Sequence, residues 1–190
     1  MRALYVATDL RDADILQQEV RRAAPKLTLD VCSGTAEARS RTEGMLDYRM
    51  TRANIHLRVR AWIRHLALNA FGPPEAAKIS RCVTEEGVIT FGPVDDAKPR
   101  LAELLELYWQ GLHRPLHFFE RTACVYAERG ELDRTVINTW EGGFDTDGER
   151  DDPYYELAFR GLNPLDDEFE RAARIVFGPL NAAIGQEPLE

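Results

Sequence analysis

MLDYRMTRANIHLRVRAWIRHLALNAFG, residues 45–72, is the stretch on which the fold turns. Its opening, MLDYRM at 45–50, reads as a strand carrying a carboxylate and a guanidinium two positions apart, Asp47 and Arg49. After a short polar break, Ile55, Val59, Trp62, Ile63, Leu66 and Ala70 recur at the three- and four-residue intervals of an amphipathic helix. Gly72-Pro73-Pro74 ends that helix, because proline cannot extend the hydrogen-bond ladder. A strand and a well-marked helix in succession place the chain among α/β proteins.

Downstream, KISRCV at 78–83 and VITF at 88–91 flank Glu85-Glu86-Gly87, a hairpin with glycine at the tight position. A helix is expected from near Asp96 to Leu112, burying Leu101, Leu104, Leu105, Tyr108 and Leu112. The proline-broken RPLHFF follows, then shorter helices near 122–129, 132–140 and 153–159. A last helix is expected to take Asn163 as its N-cap and Pro164 as its first residue, with Asp166, Asp167 and Glu168 at the positive end of its dipole. Phe169, Ala173, Val176, Phe177 and Leu180 form its apolar stripe, and Gly178-Pro179 should kink it.

Upstream, residues 2–7 and 27–32 read as strands, with Leu16, Val20, Ala23 and Ala24 marking a helix between them that Pro25 stops. Ser33-Gly34-Thr35 turn into a short helix expected over 36–40. This β-α-β unit implies a parallel pair. The division expected from these patterns is 1–42 and 43–190. The two strands at 2–7 and 27–32 should lie beside the strand near 45–50 and cover its edge.

With 190 residues, 44% hydrophobic and 29% charged, the chain can bury a real core and is not of disordered composition. No apolar run reaches the roughly 20 residues of a membrane helix, and MRALYVATDL lacks a signal-peptide pattern, so a cytoplasmic protein is expected. Cys32, Cys82 and Cys124 are odd in number and without zinc spacing, which reads as buried reduced thiols. The net charge of -8 excludes a uniformly basic nucleic-acid glove, yet the charge is uneven. Seven arginines stand against Glu43 and Asp47 between residues 39 and 64, whereas eleven acidic residues stand against Arg150 and Arg160 between 141 and 170. Arg49, Arg52, Arg58, Arg60 and Arg64 are the DNA-binding candidates, with Arg60 and Arg64 on one helix face.

No catalytic constellation assembles. His113 and His117 have helical metal-ligand spacing, but Pro115 lies between them and no third ligand is near. His56 and His65 read as surface or boundary residues. Gly142-Gly143 and Gly148 lack the lysine of a phosphate cradle, and the acidic run 145–152 fails the EF-hand pattern. Asp47-Tyr48-Arg49 is the nearest to chemistry. Many metal-dependent nucleases carry D/E-x-K on a strand, where the carboxylate holds Mg²⁺ and the lysine positions water. Arginine keeps its proton, so Arg49 is no substitute, and no partner Asp is evident on a preceding strand. No metal or cofactor is expected, and the sequence points to binding macromolecules. The aromatic-rich segment 109–119 suits an interface patch, with Trp109, Leu116, Phe118 and Phe119 as candidates.

Two resemblances carry further. LRVRAWIRHLALNAFG at 57–72, EEGVITFGPVD at 85–95, LAELLELYWQGLHRPLHFF at 101–119 and above all the stretch 140–180 resemble the carboxy-terminal domain of the gamma subunit of exodeoxyribonuclease V (RecC), over about 44–185. Within 140–180 the match rests on Trp140, Glu141, Gly142, Gly148, Glu149, Asp152, Tyr155, Arg160, Gly161, Pro164, Leu165 and Pro179-Leu180. The resemblance implies a helix-rich α/β fold with a small mixed sheet, a degenerate restriction-endonuclease-like (PD-(D/E)XK-type) fold in which Asp47 and Arg49 mark a lapsed nuclease position. It implies no activity of its own, partnership with RecB-like and RecD-like subunits, and a part in guiding DNA through the complex during recombinational repair. It also implies strands before Met45, which the sequence reading does not find, so a truncated or fused fragment is expected. Residues 1–42 resemble the opening of a response-regulator receiver domain, without its acceptor Asp. The alternatives are therefore a small signalling module or a weak Mg²⁺-dependent nuclease.

Overall fold

The computed structural model describes residues 2–6, 28–32, 37–40, 44–48, 51–72, 74, 76–143 and 146–188. The chain separates into two compact units, residues 1–98 with 183–190 and residues 99–182. The helix expected between the first two strands, and Arg49, lie outside the described residues.

In the first unit, β1 (Arg2–Val6) and β2 (Thr28–Cys32) form a parallel pair. A five-stranded mixed sheet runs in the order β3 (Glu37–Ser40), β4 (Gly44–Tyr48), β5 (Ser80–Thr84), β6 (Gly87–Phe91), β9 (Ile184–Pro188). The expected parallel pairing of the first two strands is present, but neither is hydrogen-bonded to β4. That edge is taken by β3, antiparallel to β4, and β1 approaches β3. Residues 37–40 are thus strand, not helix, and a strand does precede Met45. Four residues, EARS, carry no apolar alternation, so only the sheet defines them.

α1 (Ile55–Phe71) follows β4, with Asn54 accepting from Leu57 N at 2.9 Å as its N-cap. Leu57, Ala61, Trp62, His65 and Leu66 form its buried face, and the helix lies against β4 and β5. β5 then runs parallel to β4, as a β-α-β connection requires, and turns through Glu85-Glu86 into antiparallel β6. Gly44 makes the entry to β4 possible: its φ is +95°, and a Cβ there would sit 2.1 Å from Ile79 O.

The second unit is helical. Most of α2 (Ala97–Gly111) belongs to it, with α3 (Glu120–Arg129), α4 (Arg134–Glu141), the two-residue strands β7 (Gly142–Gly143) and β8 (Thr146–Asp147), α5 (Pro153–Ala158) and α6 (Asp167–Ala183). Phe119, Ala123, Tyr126, Val136, Phe169, Ala173 and Phe177 are its buried centre. α6 starts later than the sequence pattern implies. Asp166, not Asn163, caps it by accepting from Glu168 N and Phe169 N, and Asn163 caps only the turn at Leu165. Pro179 lies inside a helix that continues to Ala183.

α2 departs most from expectation. Leu105, Tyr108 and Leu112, read as core, are exposed, while Leu107 on the opposite face is buried and Leu101 and Leu104 are half-buried.

Candidate functional site

The carboxylate singled out by sequence, Asp47, sits one residue from the end of β4 and is only 3% exposed. A buried carboxylate without compensation is costly. α1 supplies the compensation: Arg64 Nη1 donates to Asp47 Oδ2 at 3.1 Å, from a side chain that keeps partial contact with water. Arg64 thus reaches from α1 to the sheet. In register, Asp47 stands opposite Glu37 on β3 and beside Cys82 on β5. A carboxylate-bearing position on the preceding strand therefore exists, where the sequence reading found none. Sequence could not reveal it, because residues 37–40 did not read as strand. Among the described residues, no group of three His, Cys, Asp or Glu side chains is placed to hold a metal ion.

The neighbour of Arg64 turns fully inward. His65 is buried, not a surface residue, and stacks on Trp62 at 5.7 Å and on Phe91 at 5.3 Å. Its Nε2 lies 2.8 Å from Gly92 O, and a carbonyl only accepts, so Nε2 carries the proton. Nδ1 then accepts from Ser80 Oγ at 2.8 Å. Asn69 extends this clamp, donating to His65 O at 2.9 Å and accepting from Val94 N at 3.0 Å. Burial pushes the His65 imidazole below its ordinary pKa, partly opposed by the Gly92 carbonyl. A neutral, doubly bonded, enclosed imidazole ties α1 to β5 and to the end of β6; it has no access to a substrate.

The arginine cluster therefore divides. Arg52 and Arg60 are exposed, Arg52 lying 4.0 Å from Glu86, whereas Arg58 is half-buried and Arg64 is engaged with Asp47. Arg60 and Arg64, expected on one helix face, differ in setting: Arg60 is exposed, whereas Arg64 is half-buried and bonded to Asp47.

In the helical unit the four interface candidates also part company. Phe119 is 0% exposed, packed against Trp140 at 4.1 Å, Tyr155 at 5.1 Å, Phe159 at 5.2 Å and Phe169 at 5.9 Å. It is core, because it is the residue on which α4, α5 and α6 converge. Phe118 stacks on Phe177 at 6.1 Å, and Leu116 lies against Gly111, where a Cβ would approach Leu116 Cδ1 to 3.0 Å. Only Trp109 is openly exposed. The histidines separate as well. His113 Nδ1 donates to Trp109 O at 2.8 Å, while His117 Nδ1 is 2.9 Å from Asp166 Oδ2. Burial raises the Asp166 carboxyl, but hydrogen bonds from His117, Phe169 N and Glu168 N outweigh it and hold the group below the usual carboxylate range.

Within the acidic run, Glu149 turns inward. Glu149 is buried and accepts from Arg121 N at 3.0 Å and from Thr122 N and Thr122 Oγ1, each at 2.7 Å. It replaces the cap that α3 lacks, since Phe119 at the N-cap position offers no acceptor. Gly148 lets the run close on α4: a Cβ there would lie 2.5 Å from Trp140 O.

These observations define an α/β protein with a small mixed sheet, an internally neutralised carboxylate on that sheet, and a helical second unit. The chain belongs to the family described as the RecC C-terminal domain, which matches residues 3–131. RecC is a component of the RecBCD-type exodeoxyribonuclease V, an ATP-dependent nuclease and helicase complex of DNA repair and recombination. The match begins at residue 3 and so takes in the receiver-like segment, and it ends before the stretch 140–180. No curated protein matches the chain. Among the described residues, no helix is long and apolar enough to cross a membrane.

Proposed function

We propose that this chain is a non-catalytic assembly and DNA-guiding domain of a RecBCD-type helicase–nuclease, acting in the cytoplasm in recombinational repair of double-strand breaks. The observation that carries the absence of catalysis is the Asp47–Arg64 pair. A Mg²⁺ site needs carboxylate oxygens free to ligate. Here a guanidinium of the chain's own helix stands on Asp47, and neither Arg64 nor Arg49 can release a proton to activate water.

The connectivity supports a degenerate restriction-endonuclease-like sheet. An antiparallel β3–β4 hairpin is followed by a helix and a parallel strand, with Asp47 near the end of β4. On this reading β3 supplies the strand before Met45, and residues 1–42 belong with the RecC-like domain, because the sheet takes β3 from one side of residue 43 and β4 from the other. RecB-like and RecD-like subunits are the partners. DNA contact falls to Arg52 and Arg60, with Arg49 beside them in sequence.

One observation favours a second reading, a weak Mg²⁺-dependent nuclease: the register puts Glu37 opposite Asp47, so two carboxylate positions share one level of the sheet. The readings separate by incubating the purified chain with linear duplex DNA and Mg²⁺ or Mn²⁺, and by testing capture of RecB-like and RecD-like subunits and of forked DNA at low salt. Capture without cleavage supports the assembly reading. Failure to bind either subunit or forked DNA removes it.

A further inference from the structure

Among the described residues, nothing covers the outward face of α2. Leu105, Tyr108, Trp109 and Leu112 are spaced i, i+3, i+4, i+7, so they form one stripe along the helix and its end, and all four are 59–65% exposed. A helix face of this kind on a soluble domain is ordinarily covered. The stripe is only about two turns long, roughly 10 Å along the axis, which suits insertion into a groove better than flat sheet-like contact. Its central aromatic is held in place beforehand. His113 donates to Trp109 O at 2.8 Å, and its ring packs on the indole at 4.7 Å, so little freedom remains to be lost on binding.

Charge selects the occupant. Glu106 borders the stripe on the same helix, and residues 99–182 hold seventeen carboxylates against nine arginines and no lysine. That unit alone carries a balance of -8, the net charge of the whole chain. Two such surfaces repel each other, which disfavours a second copy of this chain, and phosphate-rich nucleic acid is disfavoured for the same reason.

We propose that α2 is a docking helix that inserts Leu105, Tyr108, Trp109 and Leu112 into an apolar groove rimmed by lysine and arginine on a different protein, a helicase–nuclease subunit. This rests on the assembly function proposed above. Because the four side chains face solvent, replacing them should leave the fold intact. The probes are the purified RecB-like and RecD-like subunits, tested separately by titration calorimetry against the full chain, with thermal melting of every variant as a folding control. The wild-type chain should bind one subunit. Trp109→Ala and Leu105→Asp should each weaken that binding by on the order of tenfold or more, as anchors at the centre of an interface do. Glu106→Lys should weaken it less, and more at low salt than at high salt. Tyr154→Ala, an exposed aromatic outside the stripe, should change nothing. Binding that survives both Trp109→Ala and Leu105→Asp overturns the docking helix while leaving the assembly function standing. Binding of the wild-type chain to neither subunit overturns that function itself. A dimer of the chain alone that Trp109→Ala dissolves would replace the foreign partner with a second copy.

Discussion

α1 and α2 are alike in length and apolar spacing and opposite in how they bury that face. Both are of ordinary length, 17 and 15 residues, and both show apolar residues at helical spacing. α1 turns that face onto β4 and β5 and closes it with Trp62, His65 and Leu66. α2 buries Leu107 and leaves Leu105, Tyr108, Trp109 and Leu112 to solvent. Periodicity states that a face is apolar; whether the cover comes from the same chain depends on the other elements. In α1 the apolar face stabilises the fold, and in α2 it is the surface proposed for contact.

The sharpest way to break this comparison is to delete equivalent leucines. Leu66→Ala removes a fully enclosed side chain and should cost about 2–5 kcal/mol. Leu105→Ala should stay within about 0.5 kcal/mol. Urea denaturation of the two variants measures both, and equal losses would mean that the α2 stripe is covered after all.

Next in size is the ion pair beneath α1. Asp47→Ala removes the carboxylate that faces the Arg64 guanidinium. The expected loss is about 2 kcal/mol, less than for a fully enclosed pair because Arg64 keeps some contact with water. Arg64→Ala should lose at least as much, since it takes a cationic partner from a carboxylate that is almost wholly buried. The double variant should recover part of the sum in a double-mutant cycle, and strict additivity would show that the two groups do not interact.

The α1 clamp also gives a pH dependence with a definite sign. Burial lowers the His65 pKa in the folded protein, so the unfolded chain binds the extra proton first. Stability should therefore be fully present above the ordinary histidine value of about 6.5 and decline as pH falls below it. Melting curves recorded across that window check the sign, and His65→Gln should flatten the histidine contribution. A gain of stability on acidification through this window, cancelled by the same variant, would contradict it.

The smallest effect belongs to DNA. Arg60→Ala should lower the dependence of log affinity on log salt by about one for forked DNA, while Arg64→Ala, if folded, should not, because Arg64 is already engaged.

Legibility followed the same division. The bounds of α1, the β5–β6 hairpin and the strand at β4 were readable, because caps, glycine turns and apolar spacing are local signals. β3 and β9 were not. EARS and IGQEP are short, largely polar edge segments whose strand character exists only through their neighbours in the sheet. Asp47 was readable as the residue of interest, but its partner was not. Arg64 lies four residues beyond Arg60, an offset of about 40° around the helix, and that rotation separates a guanidinium in water from one on the sheet. Phe119 misled because a proline-broken aromatic run looks the same whether it faces a partner or its own helices. Asn163 misled because two successive Asx caps precede α6 and only the second begins the helix.

Contact and not chemistry is the task proposed for this domain, with Asp47 engaged by Arg64. Incubation of the purified chain with end-labelled linear duplex DNA in Mg²⁺ and in Mn²⁺, beside Asp47→Ala, tests it most directly. Intact DNA is expected in every lane, with the wild-type chain indistinguishable from the variant. Degradation by the wild-type chain that disappears in Asp47→Ala would contradict it.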